Sequence, residues 1–250
     1  MPELPEVETT VRGLARHLDG ERIERVALNR PDMRFPFPDG MVQALTGARV
    51  TGLDRRAKYG LIHTDRATTM VFHLGMSGRW RIDPADAARH DHLVIDTAAL
   101  EAWPAFAVMG PEPLGPGLSA AHLLGVLKGR KPAIKLMLLD QRVVAGLGNI
   151  YVCEALFRAR IDPRKPAGKV ARPALERLIP TIRAVLEQSI GDGGSSLRDY
   201  ARPDGELGYF ASRFDVYGRE GEPCRPPCPG TVKRIVQSGR STWFCPKCQK

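Results

Sequence analysis

The sequence predicts an α+β protein of two domains that ends in a small metal-held hairpin. Three observations carry this reading. A helical pattern opens the chain and gives way to short β-type runs up to about residue 97. A Gly/Pro-rich segment follows, and the patterns after it are helical. Four of the five cysteines crowd into the last 27 residues. With 250 residues, 43% of them apolar and 26% charged, the chain is neither a disordered polymer nor a disulfide-stapled miniprotein.

The elements follow in order. Pro5 opens a helix in which Val7, Val11, Leu14 and Leu18 recur at helical spacing, and Gly20 closes it. Runs such as 22–28, 69–74 and 92–97, separated by Pro38-Asp39-Gly40, Thr46-Gly47 and Ser77-Gly78, predict a β-sandwich or barrel behind that helix. Residues 110–117 hold six Gly or Pro in eight positions and read as a linker. Helices are predicted over 119–128, 132–141, 149–158 and 173–189, and a Gly/Ser-rich stretch at 191–196 leads to the tail. The predicted partition is therefore an N-terminal domain over 1–109, a linker over 110–118, a helical domain over 119–215 and a finger over 216–250.

Charge is unevenly placed. The net value is +9, yet residues 1–110 carry 14 basic and 15 acidic side chains while 111–250 carry 23 and 13. A basic half joined to a neutral half fits a polyanion partner, of which nucleic acid is the commonest, or else a solvated basic surface. No stretch approaches the roughly 18 apolar residues of a spanning helix. Three glutamates among the first eight residues are the opposite of a secretory leader, so a cytoplasmic protein without a membrane partner is expected.

The tail reads Cys224-x3-Cys228 and, after sixteen residues, Cys245-x2-Cys248. Two close thiol pairs can give four tetrahedral thiolates to one structural zinc ion per chain, and a cytosolic setting disfavours the rival pair of disulfides. Between the pairs, 231–236 and 240–244 are predicted to form a hairpin carrying Lys233, Arg234 and Arg240, suited to a DNA backbone or groove. Cys153 stands apart, as a small buried hydrophobe. Gly146-Leu147-Gly148-Asn149 opens a helix; taken alone it is an ordinary tight turn, and with further support a place where backbone amides meet a phosphate. Arg130, Lys131 and Lys135 precede it and either meet the same phosphates or are solvated.

The first residues carry the clearest chemistry. Removal of Met1 would leave Pro2 as a free secondary amine, with a pKa of about 8 for such a group and lower still before a helix N-terminus. A secondary amine that attacks a sugar C1′ forms an iminium that cannot shed its charge, a lasting electron sink for elimination. Glu3 could act as general acid and Glu6 as a hydrogen-bonding brace. An acidic helix start without catalysis is the alternative.

Taken together, these residues resemble the bacterial formamidopyrimidine-DNA glycosylase family. The resemblance rests on residues 1–9 (Met-Pro-Glu-Leu-Pro-Glu-Val-Glu-Thr), on Arg55-Arg56-Ala57-Lys58-Tyr59 and on His73-Leu74-Gly75-Met76-Ser77-Gly78. It extends through His90-Asp91-His92, Gly110-Pro111-Glu112-Pro113-Leu114, the 146–151 turn, Gly208-Tyr209-Phe210 and the tail from Val216 to Lys250. It implies an N-terminal β-sandwich, a helix–two-turns–helix domain and a zinc finger, with double-stranded DNA in the cleft between and a monomeric enzyme. The implied activity is removal of oxidised purines, notably 8-oxoguanine and formamidopyrimidines, followed by cutting of the abasic strand. Pro2 would be the Schiff-base nucleophile and Glu3 the acid that opens the sugar; Lys58 would donate a proton in β-elimination and Arg240 in δ-elimination. His90, Arg130, Lys135 and Asn149 match DNA-backbone contacts, and Met76 a residue that enters the duplex as the damaged nucleotide leaves.

Two departures stand out. The first finger pair is C-x3-C, enclosing Arg225-Pro226-Pro227, where the family has C-x2-C. The family's D-P-R-R-F-G segment, whose Arg and Phe accompany Met76 into the duplex, is absent between His92 and Gly110. Asp162-Pro163-Arg164 is a poor substitute, and Trp103 and Phe106 are the only aromatics near the gap. Two rivals follow: a catalytically weakened lesion- or DNA-binding member, and a relative favouring oxidised pyrimidines. Leu4 argues against the second, since that branch has Gly after Pro-Glu.

Overall fold

The computed structural model describes residues 2–29, 36–75, 78–81, 108–195 and 209–250. The chain divides into two compact units, Met1–Val108 with Gly193–Gly208, and Met109–Asp192 with Tyr209–Lys250.

In the first unit, helix α1 spans Leu4–Leu18. It begins there because Pro5 presets a helical φ and because Glu3 and Glu6 form a reciprocal capping box, in which the Glu3 amide donates to Glu6 Oε2 at 2.8 Å. The stripe Val7, Val11, Leu14 is buried against Met41 and Leu45 of a short helix α2 (Met41–Leu45) and against Val50, Ile62, Met70 and Phe72. The last four belong to an antiparallel sheet, ordered β1 (Val50–Arg56), β2 (Tyr59–Thr64), β3 (Thr69–His73). Gly60 is required by packing: a Cβ there would lie 2.2 Å from the Phe72 ring.

Three features of this half differ from the sequence reading. Residues 22–28 make a single bridge, Arg22 to Arg49, and no strand; Ile23 exchanges hydrogen bonds with Gly47 and Ala48 beside it. α2 replaces part of an expected β run, because Met41 and Leu45 sit one helical turn apart and both face the core. The run at 92–97 lies outside the described residues, so the described part of the predicted sandwich is this one sheet.

The second unit is built on helices α3 (Ala120–Leu127), α4 (Ile134–Leu139), α5 (Asn149–Arg158) and α6 (Arg172–Gly191). All four predicted helices are present, and α5 has the predicted bounds. Residues 150–157 of α5 are buried on every side, and the Tyr151 hydroxyl pairs with Ser189 Oγ of α6 at 2.8 Å. The Gly/Pro-rich segment is a pinned part of this unit: Arg183 of α6 donates to the carbonyls of Pro113, Gly115 and Leu118. Strands β4 (Lys233–Gln237) and β5 (Arg240–Phe244) form the terminal hairpin, turning through Ser238 and Gly239, both at positive φ.

The units group the chain differently from the predicted linear partition. Val216, Cys224, Val232 and Cys245 share a core with Cys153 and Phe157 of α5, so the finger belongs with the helices. Gly193–Gly208 returns to the first unit, where the Ser195 amide and hydroxyl both donate to Glu6 Oε1.

Candidate active site and metal centre

In the first unit the chemistry gathers around the start of α1. Pro2 immediately precedes the capping residue, and Pro2, Glu3 and Glu6 are all buried. Both Glu6 oxygens are used, Oε2 by the Glu3 amide and Oε1 by Ser195, so Glu6 is the brace that its position in the sequence predicts. Lys58 lies on the tight β1–β2 turn and is only 8% exposed. That turn is tied to α1 by Arg55, whose Nε donates to Glu8 Oε2 at 2.8 Å and whose Nη1 donates to the Ala57 carbonyl at 2.9 Å. Burial acts to raise the Glu8 carboxyl, but the hydrogen bonds and charges of Arg55 and Arg12 outweigh it and hold Glu8 below its ordinary value.

In the second unit Arg240 is exposed at the first position of β5, directly after the hairpin turn. Arg130 is exposed just beyond α3, its Nε directed at the Val126 carbonyl and its charge felt by Asp140. Asn149 opens α5, and its Nδ2 donates to the Ser241 carbonyl at 3.0 Å. Lys135 is a correction. Expected among the phosphate contacts, it is 0% exposed, and its Nζ donates to the Ser241 carbonyl at 2.9 Å and to Thr242 Oγ1 at 2.7 Å. An ammonium inside the protein with protein acceptors is an internal strut; it releases no counterions in the manner of a surface cation. Met76 and His90 lie outside the described residues, as do Trp103 and Phe106.

The cysteine cluster meets the requirements of a metal centre. The Sγ atoms of Cys224, Cys228, Cys245 and Cys248 all lie within 4.8 Å of one another, and the Cys224–Cys248 and Cys228–Cys245 separations of 3.8 Å are far beyond a disulfide bond. The extra residue of C-x3-C is absorbed without displacing Cys228 from the set. Gly230 makes room for it: a Cβ there would sit 2.6 Å from Cys245 Sγ and 3.3 Å from Cys228 Sγ. Burial and the neighbouring thiols push Cys224 up to about 11, and Cys248 is raised for the same reasons. Cys245 is also desolvated, but the amides of Cys248 and Lys247 bring it below its ordinary value. The donor set is that of one tetrahedral zinc ion.

Comparison with known proteins decides the family. The domain described as "Formamidopyrimidine-DNA glycosylase N-terminal domain" matches residues 1–105, "Formamidopyrimidine-DNA glycosylase H2TH domain" matches 109–201, and "Zinc finger found in FPG and IleRS" matches 221–250. The chain belongs to the formamidopyrimidine-DNA glycosylase family. It is 66% identical over 271 residues to the formamidopyrimidine-DNA glycosylase of Erythrobacter litoralis and 66% over 272 residues to that of Novosphingobium aromaticivorans, with all of each chain covered. It is also similar to the MutM (FPG) protein of Thermus thermophilus (TM-score 0.86, 37% identity, 99% of this chain and 98% of that one). A further likeness is to Lactococcus lactis Fpg in complex with abasic-site DNA (TM-score 0.88, 32% identity, all of both chains). The two-domain α+β fold with a zinc finger is thereby established, and the protein is an enzyme of a DNA-repair family of N-glycosylases and abasic-site lyases.

Family membership leaves several supports that the sequence does not announce. Glu154 of α5 is 0% exposed and accepts the amides of Asp215, Val216 and Tyr217, the segment that leads into the finger. Burial raises its carboxyl against those three amides, which favour the ionised form. Gln249 links the Cys245 amide to the Ile161 carbonyl, and Arg164 lies 4.7 Å over the Phe244 ring while paired to Asp162. Asp162-Pro163-Arg164 therefore buttresses the hairpin. Phe210 is buried and stacks on Tyr151, which accounts for its place in the Gly208-Tyr209-Phe210 motif.

Proposed function

We propose that this enzyme excises oxidised purines, 8-oxoguanine and formamidopyrimidines among them, through a Schiff base at Pro2, and then cuts the abasic strand by β,δ-elimination. The observation that carries the reading is Pro2-Glu3 set directly before α1, with Glu6 braced from two sides. Once Met1 is removed, the Pro2 nitrogen bonds to C1′ as the glycosidic C1′–N bond breaks and the base leaves with a proton. Glu3 protonates the ring oxygen as C1′–O4′ opens, giving an iminium. Loss of the C2′ proton then sends electrons to the iminium and breaks C3′–O3′, with Lys58 donating a proton to the departing phosphate. Loss of the C4′ proton breaks C5′–O5′ in turn, with Arg240 as donor to the second phosphate. A base reached in this way must first leave the stack.

The basic second half fits a phosphate-binding surface, for which Arg130 and Asn149 remain the candidates; in the first half His90 is the candidate backbone contact and Met76 the candidate to enter the duplex. Zinc, when bound, supplies a structural cross-link for the hairpin that bears Arg240. DNA as substrate is in keeping with relatives solved with Fapy-dG-containing and abasic-site DNA, and implies action in the bacterial cytoplasm. The test is incubation of an 8-oxoguanine duplex with the zinc-loaded protein: a one-nucleotide gap flanked by phosphates is expected, and an intact strand after alkali would overturn the reading.

A second reading concerns efficiency. The alignment to the Erythrobacter litoralis enzyme is 271 residues long against 250 here, in agreement with the absent D-P-R-R-F-G segment. Without its Arg facing the orphaned base, discrimination should fall by about 1–3 kcal/mol, roughly ten- to a hundredfold. Excision opposite C, A, G and T should then be nearly equal and slower than cleavage at a preformed abasic site. Strong preference for C, with excision as fast as abasic cleavage, would contradict this.

A further inference from the structure

Two side-chain donors from different elements converge on one backbone oxygen at the foot of the hairpin tip. Lys135 Nζ of α4 and Asn149 Nδ2 of α5 both donate to the Ser241 carbonyl, at 2.9 and 3.0 Å. Lys135 also donates to Thr242 Oγ1, which in turn donates to Gln237 Oε1 at 2.9 Å. Gln237 is the cross-strand partner of Arg240, and the two close the turn through Ser238 and Gly239. The fully buried Lys135 ammonium thus reaches the residue after Arg240 directly, together with Asn149, and the residue opposite it through Thr242.

Placing an ammonium there is costly unless its hydrogen bonds are met. An apolar side chain would fill the same space without that cost but could not fix the height of the tip, since apolar contacts carry no direction. A charge-assisted hydrogen bond does carry direction. We infer that Lys135 is a positioning residue: through Ser241 and Thr242 it sets where the exposed Arg240 guanidinium stands. This inference rests on the proposed role of Arg240 in δ-elimination.

The test uses full-length, zinc-loaded protein on a duplex with a preformed abasic site, reading the ratio of δ- to β-elimination products within one reaction. Any loss of DNA binding is common to both products and cancels in the ratio. Lys135→Met should lower the ratio tenfold or more, and Lys135→Arg, which keeps a cationic donor, should restore part of it. Thr242→Val, a milder change that removes one acceptor, should lower it about threefold and serves if Lys135→Met fails to fold. Wild-type protein that makes no δ product overturns the role given to Arg240 and this inference with it. A normal wild-type ratio that stays unchanged in zinc-loaded Lys135→Met or Thr242→Val overturns this inference alone. So does a weakened affinity with the ratio intact, which would return Lys135 to phosphate binding.

Discussion

The two units hold their chemical groups by different means. In the first, Pro2 and Glu3 are placed by the start of one helix through a bond that spans three residues, with one distant support, Ser195 on Glu6. In the second, Arg240 stands on a two-stranded hairpin supported from far along the chain: Lys135 bonds to a residue 106 positions away, Glu154 to residues 61 to 63 away, and Gln249 to one 88 away. A capping box forms with the helix it starts, whereas a small hairpin is marginal until something outside it is bound. The proposed nucleophile is therefore carried mainly by local structure. A cation on a finger needs a metal and a set of buried struts.

Breaking the metal should separate the units most sharply. Cys245→Ser removes one of four thiolates and is expected to lower DNA affinity by about 100-fold or more, because the hairpin loses its cross-link. Zinc analysis and DNA titration measure the loss, while proteolysis should find the first unit still folded. Failure of both units together would contradict a finger-specific effect.

The next effect concerns Glu154. Replacement by Ala strips the acceptor from three amides, and with about 1–3 kcal/mol for each buried group left unsatisfied, a cost near 3 kcal/mol or more is expected. Denaturant unfolding of Glu154→Ala checks it, and a cost below 1 kcal/mol would remove Glu154 from the supports.

A smaller effect belongs to the first unit, where Glu8 holds Arg55 and so the turn of Lys58. Glu8→Gln should cost about 1.5–3 kcal/mol at neutral pH. Because Glu8 is held below its ordinary value of 4.5, its contribution is complete above that value and is lost as pH falls through the lowered folded-state value. The stability difference between wild type and Glu8→Gln should be flat above pH 4.5 and close below it. A gap that is constant down to pH 3 would show that the ionised carboxylate is not what stabilises the turn.

The same contrast explains what could be read from the sequence. Helix α1, helices α3 to α6, the Cys224–Cys248 cluster and the bond from Glu3 to Glu6 all rest on spacing within one segment, and each is present as expected; the Ser195 side of the Glu6 brace does not rest on such spacing. Lys135 is expected among the phosphate contacts because a lysine at the start of a basic helical domain looks like a surface cation, and only the docked hairpin shows that its ammonium is buried on protein acceptors. Glu154 sits among apolar residues of α5 with nothing nearby in sequence to mark its three partners, which begin 61 residues later. The run at 22–28 has β-type composition, yet its backbone bonds go to Gly47 and Ala48, just before β1, and it forms a single bridge and no strand.

The central claim is that the amine of Pro2 is the nucleophile, and borohydride trapping tests it most directly. Protein with Met1 removed should be reacted with an 8-oxoguanine duplex in the presence of borohydride, alongside protein shown by mass spectrometry to retain Met1. The account predicts one covalent protein–DNA adduct per chain, mapped by peptide sequencing to Pro2, and none when Met1 is kept. An adduct of equal yield on the Met1-retaining protein, or one mapped to Lys58, would contradict it.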